Sequence, residues 1–520
     1  PEGLAGFAEA IARIAGAITR GERIGVFGDY DVDGVTTCAL LTQFLRAAGA
    51  AVEPRVARRD GGYGFTTEVA AELCDAGCGL IVTGDCGTSD LPAIAVARAR
   101  GIDVVVIDHH TVPDASVAHP AVALVNPLRE DSTFPFRGLA SVGLAFYVVA
   151  AVRTRLTEEG YFRERGGRDV PDVRELLDLV ALGTIADLVP LTAENRILVT
   201  AGLRQLATRP RPGIAALAAT AGIDPSRPLD EKSVSWKLAP RLNAPGRLGS
   251  AAPSLELLLA DDTSALACAT AVEEANTARR AAQDVVYEGA LAELETIGAD
   301  EPAVVIARRG WLPGVVGIVA AKLVERTGRP AFVIAIDDDG VGRGSARTAG
   351  GIDLYRALAG CAPLLERFGG HAAAAGLTVR EAQVAELRAA LGIEVTRLAA
   401  GSGPVAAPVA DAEVGLAELD ERLVTELVGL GPFGQANAAP RLVARGVRVR
   451  ASRRVGDGSH LKLDVVDART GVSRGAIGFG FGDRDPGIGA IVDLAFTPTV
   501  SEWNGSRRVE LELTALEPVG

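Results

Sequence analysis

The sequence predicts a multidomain α/β protein whose first domain is built on a parallel β-sheet. Short, continuous apolar runs alternate with stretches in which apolar residues recur at helical spacing. This alternation is typical of a parallel sheet covered by helices on both faces. The chain has 520 residues, enough for about three to four domains. Beyond residue 437 the apolar period changes to two, which predicts a separate β-rich domain.

Composition limits the class of protein. Apolar residues make up 48% of the chain, so its domains can bury sizeable cores. We expect a cytoplasmic protein without membrane contact, because no long uncharged apolar run and no leader peptide stand out. The net charge of −13 is unlike that of a generally basic nucleic-acid-binding protein. The six cysteines lack the spacing of a zinc site or a disulfide framework.

The first predicted strand, Ile24 to Phe27, leads into an acidic turn that carries Asp29, Asp31 and Asp33. A run with helical periodicity, Val35 to Ala48, follows this turn. In extended backbone the alternate carboxylates point the same way, and their mutual repulsion favours a bound cation. The alternative is an acidic, solvated surface turn.

Two more predicted strands also end in acidic residues or histidine. Gly79 to Thr83 precedes Asp85, and Val104 to Ile107 precedes Asp108-His109-His110. Ligands of parallel sheets bind beyond the carboxyl ends of the strands. The sequence therefore predicts a metal site at one edge of the sheet.

A fourth charged position, Asp187, lies in the otherwise apolar run Ala181 to Pro190, behind an amphipathic helix expected to begin near Asp172. A lone buried carboxylate is costly unless it is paired or bound to a metal. The alternative is that Asp187 caps the segment that follows.

These four segments resemble the motifs of the DHH phosphoesterase superfamily. The matching residues are Asp31-Val32-Asp33, Thr83-Gly84-Asp85, Asp108-His109-His110 and Gly183-Thr184-Ile185-Ala186-Asp187. Over nearly its whole length the chain resembles the RecJ family of single-stranded-DNA exonucleases, and the order of the shared segments makes the resemblance highly specific. The later segments that carry it are Gly62-Tyr63-Gly64, Pro240 to Arg247, Gly310 to Gly314, Gly344 to Arg347 and Gly369-Gly370-His371.

The resemblance implies a centre for two divalent cations, Mn²⁺ or Mg²⁺. Oxygen donors suit both ions, and an imidazole shifts the preference toward Mn²⁺. Asp85 is the bridging ligand in this scheme. The positions that match the metal ligands are Asp31, Asp33, Asp85, His109 and Asp187.

The catalytic positions that the resemblance implies are Asp85, His109, His110 and Asp108. His110 would contact the scissile phosphate or orient its neighbours, and Asp108 would hold an imidazole tautomer. Two positions depart from the family pattern. Phe27 stands where relatives often carry His, so we expect one cation site to be weaker or completed by water. Cys86 stands where Asn is more common.

Residues 1–250 form the predicted DHH domain, and residues 251–298 predict a helical connector rich in Ala, Leu and Glu. A coiled-coil partner surface is the alternative for the connector, but a sustained heptad is missing. Residues 299–395 form a second α/β unit that resembles the DHHA1 domain. Its Gly-rich stretches, Gly342 to Ser345 and Gly369 to His371, are tight turns or loops whose amides approach a phosphate.

By the same resemblance, the terminal phosphate of the DNA lies in a pocket of the DHHA1 domain and its neighbours. The candidate residues are Arg58, Arg247, Ser345, Arg347 and His371. A pocket for a 5′ phosphate would explain an exonuclease that starts at that end. The 5′-to-3′ direction follows only from the resemblance.

The C-terminal part predicts a linker and helix at residues 396–436 and an OB-like β-barrel at residues 437–520. The linker is rich in Gly, Pro and Ala at 401–408, and the helix is expected from Leu416 to Val428. Phe479 and Phe481 either stack on bases or fill the barrel core. The arginine-rich run from Arg441 to Arg454 contains no acid, and the predicted DNA contacts are Arg448, Arg450, Arg453 and Trp503.

The resulting prediction is a metal-dependent exonuclease that degrades single-stranded DNA 5′ to 3′ to mononucleotides by two-metal phosphodiester hydrolysis, in DNA repair and recombination. The expected partners are single-stranded DNA, a single-strand-binding protein and a helicase, and we expect a monomer. One alternative is a phosphodiesterase on short oligonucleotides or cyclic dinucleotides. The other is a replication scaffold without catalysis. The barrel favours long strands, and the retained acidic and histidine residues favour an enzyme.

Overall fold

A computed structural model describes residues 2–58, 64–113, 118–164, 169–209, 211–298, 300–400, 410–503 and 506–519. The chain divides into two compact units, Pro1–Val189 with Ile197–Val405, and Pro190–Arg196 with Ala406–Gly520. The predicted linker at 401–408 and most of Gly62-Tyr63-Gly64 lie outside the described residues. In the described ranges, none of the helices is both long and apolar enough to cross a bilayer.

The first unit contains the predicted parallel sheet. Its strands in the described residues are β1 (Arg23–Gly28), β2 (Ala51–Val56), β3 (Leu80–Gly84), β4 (Asp103–Ile107) and β5 (Ala123–Val125). They pair in the order β2-β1-β3-β4-β5, and every pair is parallel. Every residue of β3 is buried, as expected for a strand covered on both faces.

Helices pack on both faces of this sheet and extend beyond it. They are α1 (Phe7–Arg20), α2 (Val32–Ala47), α3 (Thr67–Asp75), α4 (Leu91–Ala99), α5 (Ser141–Glu158), α6 (Tyr161–Glu164), α7 (Leu177–Ala186), α8 (Ala193–Ala207), α9 (Pro212–Thr220), α10 (Glu231–Ser233), α11 (Ala239–Leu248), α12 (Ala252–Leu259) and α13 (Ala265–Leu294). A 3₁₀ turn, Val173–Leu176, precedes α7, and a π-helical turn, Val234–Leu238, precedes α11. The predicted long helical connector is present as α12 and α13.

The acidic turn after β1 differs from the prediction. Helix α2 begins at Val32 rather than Val35, because the Asp31 carboxylate accepts a hydrogen bond from Gly34 N at 3.1 Å and caps the first turn. Asp33 therefore lies in the helix, and the premise of extended backbone through it is wrong. The apolar run before Asp187 is itself helix α7, and Asp187 is its C-cap.

The second α/β part of the first unit contains a mixed sheet. Its described elements are β6 (Val304–Arg309), α14 (Val316–Thr327), β7 (Ala331–Ile336), β8 (Val341–Arg347), α15 (Leu354–Gly360), β9 (Arg367–Gly370), β10 (Ala374–Arg380) and α16 (Val384–Ala399). The strands pair in the order β6-β7-β8-β10-β9. Gly342 and Gly344 lie within a strand rather than in a loop. A Cβ on either would come within 2.8 Å of Ile334, so these glycines leave room for core packing.

The second unit is the predicted β-barrel. Its described elements are β11 (Ala412–Glu413), α17 (Glu421–Val428), β12 (Leu442–Val455), β13 (His460–Val466), β14 (Ser473–Gly478), β15 (Ile491–Trp503) and β16 (Ser506–Pro518). Pairing of β12 with both β13 and β15 closes the barrel. The helix is shorter than predicted, because Leu416 and Leu419 are buried in the barrel core ahead of it. Phe481 also belongs to that core, whereas Phe479 is 58% exposed.

Candidate metal centre

The carboxyl ends of three neighbouring strands bring acidic and imidazole side chains together. Asp31 and Asp33 follow β1, Asp85 follows β3, and His109 and His110 follow β4. Asp187 joins them from the end of α7. The expectation that these strand ends meet at one edge of the sheet is confirmed.

His109 lies at the middle of this cluster. Its Nε2 atom is 3.3 Å from Asp85 Oδ1, 3.5 Å from Asp187 Oδ2 and 4.0 Å from Asp33 Oδ2. Two groups of donors, each with its ligand atoms within 4.8 Å of one another, share His109. They are Asp33-His109-Asp187 and Asp85-His109-His110. These groups contain four of the five predicted metal ligands, Asp33, Asp85, His109 and Asp187.

The N-terminus of α5 holds two of the carboxylates. Ser141 N and Val142 N donate hydrogen bonds to the two oxygens of Asp33 at 2.7 and 3.0 Å. The Ser141 hydroxyl donates to Asp85 Oδ1 at 3.1 Å. Unsatisfied amides at a helix N-terminus favour negative charge. The sequence reasoning missed Ser141, since serine at the start of a helix is usually only a cap.

Asp108 organises the histidine pair rather than joining the cluster. Its Oδ1 accepts hydrogen bonds from the amides of His109 and His110 at 2.8 and 3.2 Å and from His110 Nδ1 at 2.8 Å. Its Oδ2 accepts from Thr88 N at 3.1 Å. Burial acts to raise the pKa of Asp108, but the hydrogen bond from His110 and the other donors lower it below its ordinary value. Asp108 therefore fixes the orientation of the His110 ring.

The cluster is electrostatically unfavourable without a cation. Burial, with the charge of Asp31, raises the pKa of Asp33 to about 7. Burial, with the charge of Asp33, raises the pKa of Asp187 to about 9. The pKa of Asp85 is also well above its ordinary range, again through burial and then the charge of Asp31. In the described residues, the buried Oδ2 atom of Asp187 has no hydrogen-bond partner.

The two imidazoles differ in charge. Burial lowers the pKa of His109 to about 4, so its ring is neutral and offers a lone pair. The hydrogen bond to Asp108 raises the pKa of His110 to about 9, so its ring is a cation at neutral pH. Hard carboxylate oxygens, a neutral imidazole and an unpaired buried oxygen fit Mn²⁺ or Mg²⁺.

Two further side chains tie the loops of the centre together. Asn126 Nδ2 donates to Thr88 Oγ1 at 3.2 Å and to the carbonyl of His110 at 2.9 Å. The Nε2 atom of His119 lies 3.1 Å from the carbonyl of Gly87 and can donate to it. The loop that carries Asp85 is thereby joined to the loop that carries the histidines. Asp85 itself has φ 64, a left-handed conformation that Asp and Asn tolerate best among larger residues.

The residues that depart from the family pattern are both buried. Phe27 packs its ring against Phe65 at a centroid distance of 5.3 Å in the hydrophobic core, and a phenyl ring offers no metal ligand. Cys86 is buried beside Asp85, and burial raises the pKa of its thiol well above the ordinary value. Asp29, which matched no ligand position, is half-buried, and removal of its carboxylate from water raises its pKa to about 7.

Three of the predicted phosphate-binding residues surround the N-terminus of α14. A Cβ built on Gly317 would lie 3.1 Å from Arg347 Nη2 and 3.3 Å from Ser345 Oγ. Arg247 Nη1 donates to the carbonyl of Gly314 at 3.2 Å. Burial, with the charge of Arg247, lowers the pKa of Arg347. These cations and a helix N-terminus form a site suited to an anion.

Of the other two predicted phosphate contacts, Arg58 lines a different cavity and His371 follows β9. Arg58 Nη2 is paired with Glu72 at 2.9 Å and lines a separate cavity of about 700 Å³. His371 is exposed after β9, where its amide bonds to the carbonyl of Ala374. Ala374 of β10 pairs with Arg347 of β8. Because the His371 amide bonds to Ala374, His371 lies at the end of the sheet where Arg347 stands.

The predicted arginines of the barrel lie on the outer face of β12. Arg448, Arg450 and Arg453 are exposed, and Arg450 is 3.9 Å from Asp464. Among the described residues, Arg448 and Arg453 have no acidic partner. Phe479 forms an edge-to-face pair with His460 at 5.3 Å. The side chain of Trp503 lies outside the part that the structure describes.

The fold and this cluster define a class, the DHH phosphoesterases with a DHHA1 domain. Family models match in chain order: the N-terminal domain of the DHH family at residues 23–184, the DHHA1 domain at 300–395 and the RecJ OB domain at 410–515. The chain belongs to the RecJ family of single-stranded-DNA-specific exonucleases, and the resemblance seen in the sequence is confirmed.

Similarity to individual members extends over nearly the whole chain. The RecJ exonuclease of Dickeya dadantii is 37% identical over 99% of this chain and 91% of its own length. That of Bacillus subtilis is 34% identical over 98% of this chain, which spans only 63% of the relative. The solved structure of RecJ from Thermus thermophilus in complex with Mn²⁺ superposes with a TM-score of 0.82 at 30% identity, covering 99% of this chain and 72% of that one.

We expect the metal-free protein to lose stability as the pH rises from about 4 to about 9. The pKa values of Asp33 and Asp187, about 7 and about 9, lie above the ordinary carboxyl value of 3.8. The stabilisation from their protonated forms is complete below that ordinary value and is lost as the pH rises through the raised values. His110, raised from 6.5 to about 9, acts in the same direction. Mn²⁺ should therefore raise the melting temperature more at pH 8.5 than at pH 6.5.

Two variants test this origin of the pH dependence by thermal melting. Asp187→Asn should flatten the fall in melting temperature and weaken the Mn²⁺ effect. The control is Asp172→Asn, at an exposed acid whose pKa is lowered by Arg174, and it should leave both unchanged. A pH-independent Mn²⁺ effect in the unaltered protein would contradict the electrostatic origin.

Proposed function

We propose that this protein is a metal-dependent exonuclease that hydrolyses single-stranded DNA from the 5′ end to mononucleotides. The observation that carries the proposal is the buried cluster of Asp33, Asp85, His109 and Asp187 in a member of the RecJ family. Relatives over nearly the full chain are named single-stranded-DNA-specific exonucleases. RecJ structures in complex with Mn²⁺ and with Mg²⁺ support such a divalent cation as the cofactor, and two cations are proposed from the resemblance.

Divalent cations bound in the cluster would supply Lewis acidity for hydrolysis of a phosphodiester and neutralise the charge that develops on its oxygens. The protein's own residues prepare the site. The α5 amides hold Asp33, and the Ser141 hydroxyl orients Asp85. The cationic ring of His110, held by Asp108, adds positive charge where the phosphate would lie.

The choice of DNA end is proposed to come from the anion site at α14. Arg247, Ser345 and Arg347 offer charge-assisted hydrogen bonds to a terminal phosphate, and the first turn of α14 adds its amides. This site and the metal cluster belong to the same unit. The 5′-to-3′ direction of this proposal rests on the resemblance to the RecJ family.

The barrel is proposed to hold the trailing strand through exposed Phe479 and through Arg448 and Arg453, which lack an acidic partner among the described residues. The buried ring of Phe481 is excluded from stacking by its place in the core. We also propose that the domains correspond to residues 1–250, 251–298, 299–395, 396–436 and 437–520.

The cellular setting remains a prediction. DNA as substrate supports a cytoplasmic role in DNA repair and recombination. A single-strand-binding protein and a helicase as partners, and a monomeric state, follow from the resemblance alone. The barrel disfavours an enzyme restricted to short or cyclic nucleotides, and the complete set of carboxylates disfavours a scaffold without catalysis.

The main test uses single-stranded DNA with a label at the 5′ or the 3′ end, in Mn²⁺. The unaltered protein should release labelled mononucleotides at once from the 5′-labelled strand and only late from the 3′-labelled strand. Asp85→Asn should abolish hydrolysis while DNA binding persists, because Asn tolerates the left-handed backbone but is a poor ligand. Turnover retained by Asp85→Asn would rule out the assigned centre, and release from the 3′ end would reverse the polarity.

A second prediction concerns the terminal phosphate. The unaltered protein should degrade 5′-phosphorylated DNA faster than 5′-hydroxyl DNA, by about 10- to 100-fold for charge-assisted hydrogen bonds. Arg347→Ala should remove this preference. Arg343→Ala is the matched control, because Arg343 lies on the same strand, is 61% exposed and is 3.8 Å from Asp337. A preference that survives in Arg347→Ala would show that the phosphate binds elsewhere.

A third prediction separates DNA binding by the barrel from catalysis. The double variant Arg448→Ser with Arg453→Ser should weaken binding of long strands and reduce the salt dependence by about 0.7 for each lost phosphate contact. Cleavage of very short oligonucleotides should be unaffected. Arg445→Ser is the control, since Arg445 is already paired with Glu413 and Asp493 at 2.9 and 2.8 Å. An equal loss on long and short substrates would contradict this division of roles.

A further inference from the structure

The short strand β5 carries none of the predicted metal ligands, but Asn126 follows it directly, at the edge of the sheet where the cluster lies. β5 pairs in parallel with β4, and Asp108 N donates to the carbonyl of Val125 at 3.0 Å. Asn126 therefore lies beside the start of the segment that carries the two histidines. Its side chain is completely buried, so its polar atoms need partners within the protein.

The amide group of Asn126 has a fixed orientation. Leu128 N donates to its Oδ1 at 2.8 Å. Its Nδ2 donates to the carbonyl of His110 at 2.9 Å and to Thr88 Oγ1 at 3.2 Å. A neutral amide makes these three hydrogen bonds without adding charge to a site that is already crowded with carboxylates.

His110 is held at two points, and both lead to Asn126. Its carbonyl accepts directly from Asn126. Its ring donates from Nδ1 to Asp108 Oδ1 at 2.8 Å, and Asp108 Oδ2 accepts from Thr88 N at 3.1 Å. Thr88 is in turn the second acceptor of Asn126. These contacts form a closed ring of four residues that fixes both the backbone and the imidazole of His110.

The predicted metal ligands are held by other contacts. The Ser141 hydroxyl donates to Asp85 at 3.1 Å, and the first amides of α5 hold Asp33. In the described residues, the side chain of Asn126 forms no hydrogen bond to the side chain of any of the five predicted ligands. Loss of the Asn126 side chain should therefore displace His110 and leave the cation sites in place.

We propose that Asn126 is a positioning residue for hydrolysis, which aims the imidazole of His110 at the phosphate through this closed ring of hydrogen bonds. The proposal rests on the proposed exonuclease function. A displacement of about 1 Å in a group that acts on the substrate can cost about 100-fold in rate. Asn126 thus governs turnover rather than the binding of DNA or metal.

The main test separates turnover from binding. The substrate is 5′-phosphorylated single-stranded DNA in Mn²⁺, and Mn²⁺ binding is measured by calorimetry on the protein alone. Asn126→Ala removes both N–H donors and should lower kcat about 10- to 100-fold, the usual cost of losing a residue that orients the groups of a metal site. KM for the DNA and the dissociation constant for Mn²⁺ should not change.

A double variant tests whether Asn126 acts through His110. Taken singly, His110→Ala and Asn126→Ala should each lower the single-turnover rate, measured with protein in excess over DNA. Because the two residues act as one unit, the double variant should be no slower than His110→Ala. Losses that multiply would show that Asn126 acts independently of His110 and would overturn the proposal.

Substitutions at Thr88 test the same ring with Asn126 intact. Thr88→Val removes the hydroxyl at similar volume and should lower kcat, whereas Thr88→Ser keeps the acceptor and should retain most of the activity. Thr42→Val is the matched control, because Thr42 is also completely buried. Among the described residues, its hydroxyl forms no hydrogen bond to the four residues of the ring. Thr42→Val should leave kcat unchanged.

Two further outcomes would overturn the positioning role while leaving the exonuclease assignment intact. One is an unchanged kcat in Asn126→Ala or, if that variant does not fold, in Thr88→Val. The other is a weakened affinity for Mn²⁺ with a kcat that excess Mn²⁺ restores, because Asn126 would then serve the cation sites. If the unaltered protein fails to degrade single-stranded DNA in Mn²⁺, the proposed function itself fails and the positioning role with it.

Discussion

Mutual repulsion among buried carboxylates is the constraint on which the first unit depends. Asp33, Asp85 and Asp187 converge on His109, and each has its pKa raised by burial. The surrounding fold offsets part of this repulsion with dipoles, since α5 directs its first amides at Asp33, and part with the cationic ring of His110. Close packing of α7 on α2 completes the arrangement. A Cβ at Gly183 would lie 2.3 Å from Thr36 Oγ1 and 3.0 Å from Asp33 Oδ1, so this crossing has room only for glycine.

The distribution of charge reconciles an acidic chain with an anionic substrate. The net charge is −13, yet the outer face of β12 presents Arg448 and Arg453, which lack acidic partners among the described residues. Electrostatic interactions at the surface are screened beyond about 8–10 Å. Local cations therefore decide where a nucleic acid strand binds, and the acidic remainder of the surface opposes adsorption elsewhere.

The strand ends, the connector helix and the five main barrel strands could be predicted because each depends on local periodicity. The metal cluster could be predicted because carboxyl ends of parallel strands converge. The contributions of Ser141 and Asn126 could not be predicted from the sequence, because both side chains act through contacts with residues distant in the chain. The sequence predicted a turn or loop at the glycines of β8, and this prediction was wrong for a related reason. Glycine signals a turn in sequence, but here Gly342 and Gly344 admit the side chain of Ile334.

The π-helical turn at Val234–Leu238 has an evolutionary consequence. A π turn holds about one residue more than an α turn, so loss of a single residue there would restore regular helix. Five residues of a π turn advance about as far around the axis as four residues of an α-helix, so α11 beyond the turn would keep nearly the same facing. Asn243, which accepts a hydrogen bond from Val32 N at 3.2 Å, would then keep its place at the start of α2. Loss of one residue should therefore be tolerated in this turn, whereas loss of one within regular helix before Asn243 would rotate that side chain by about 100°.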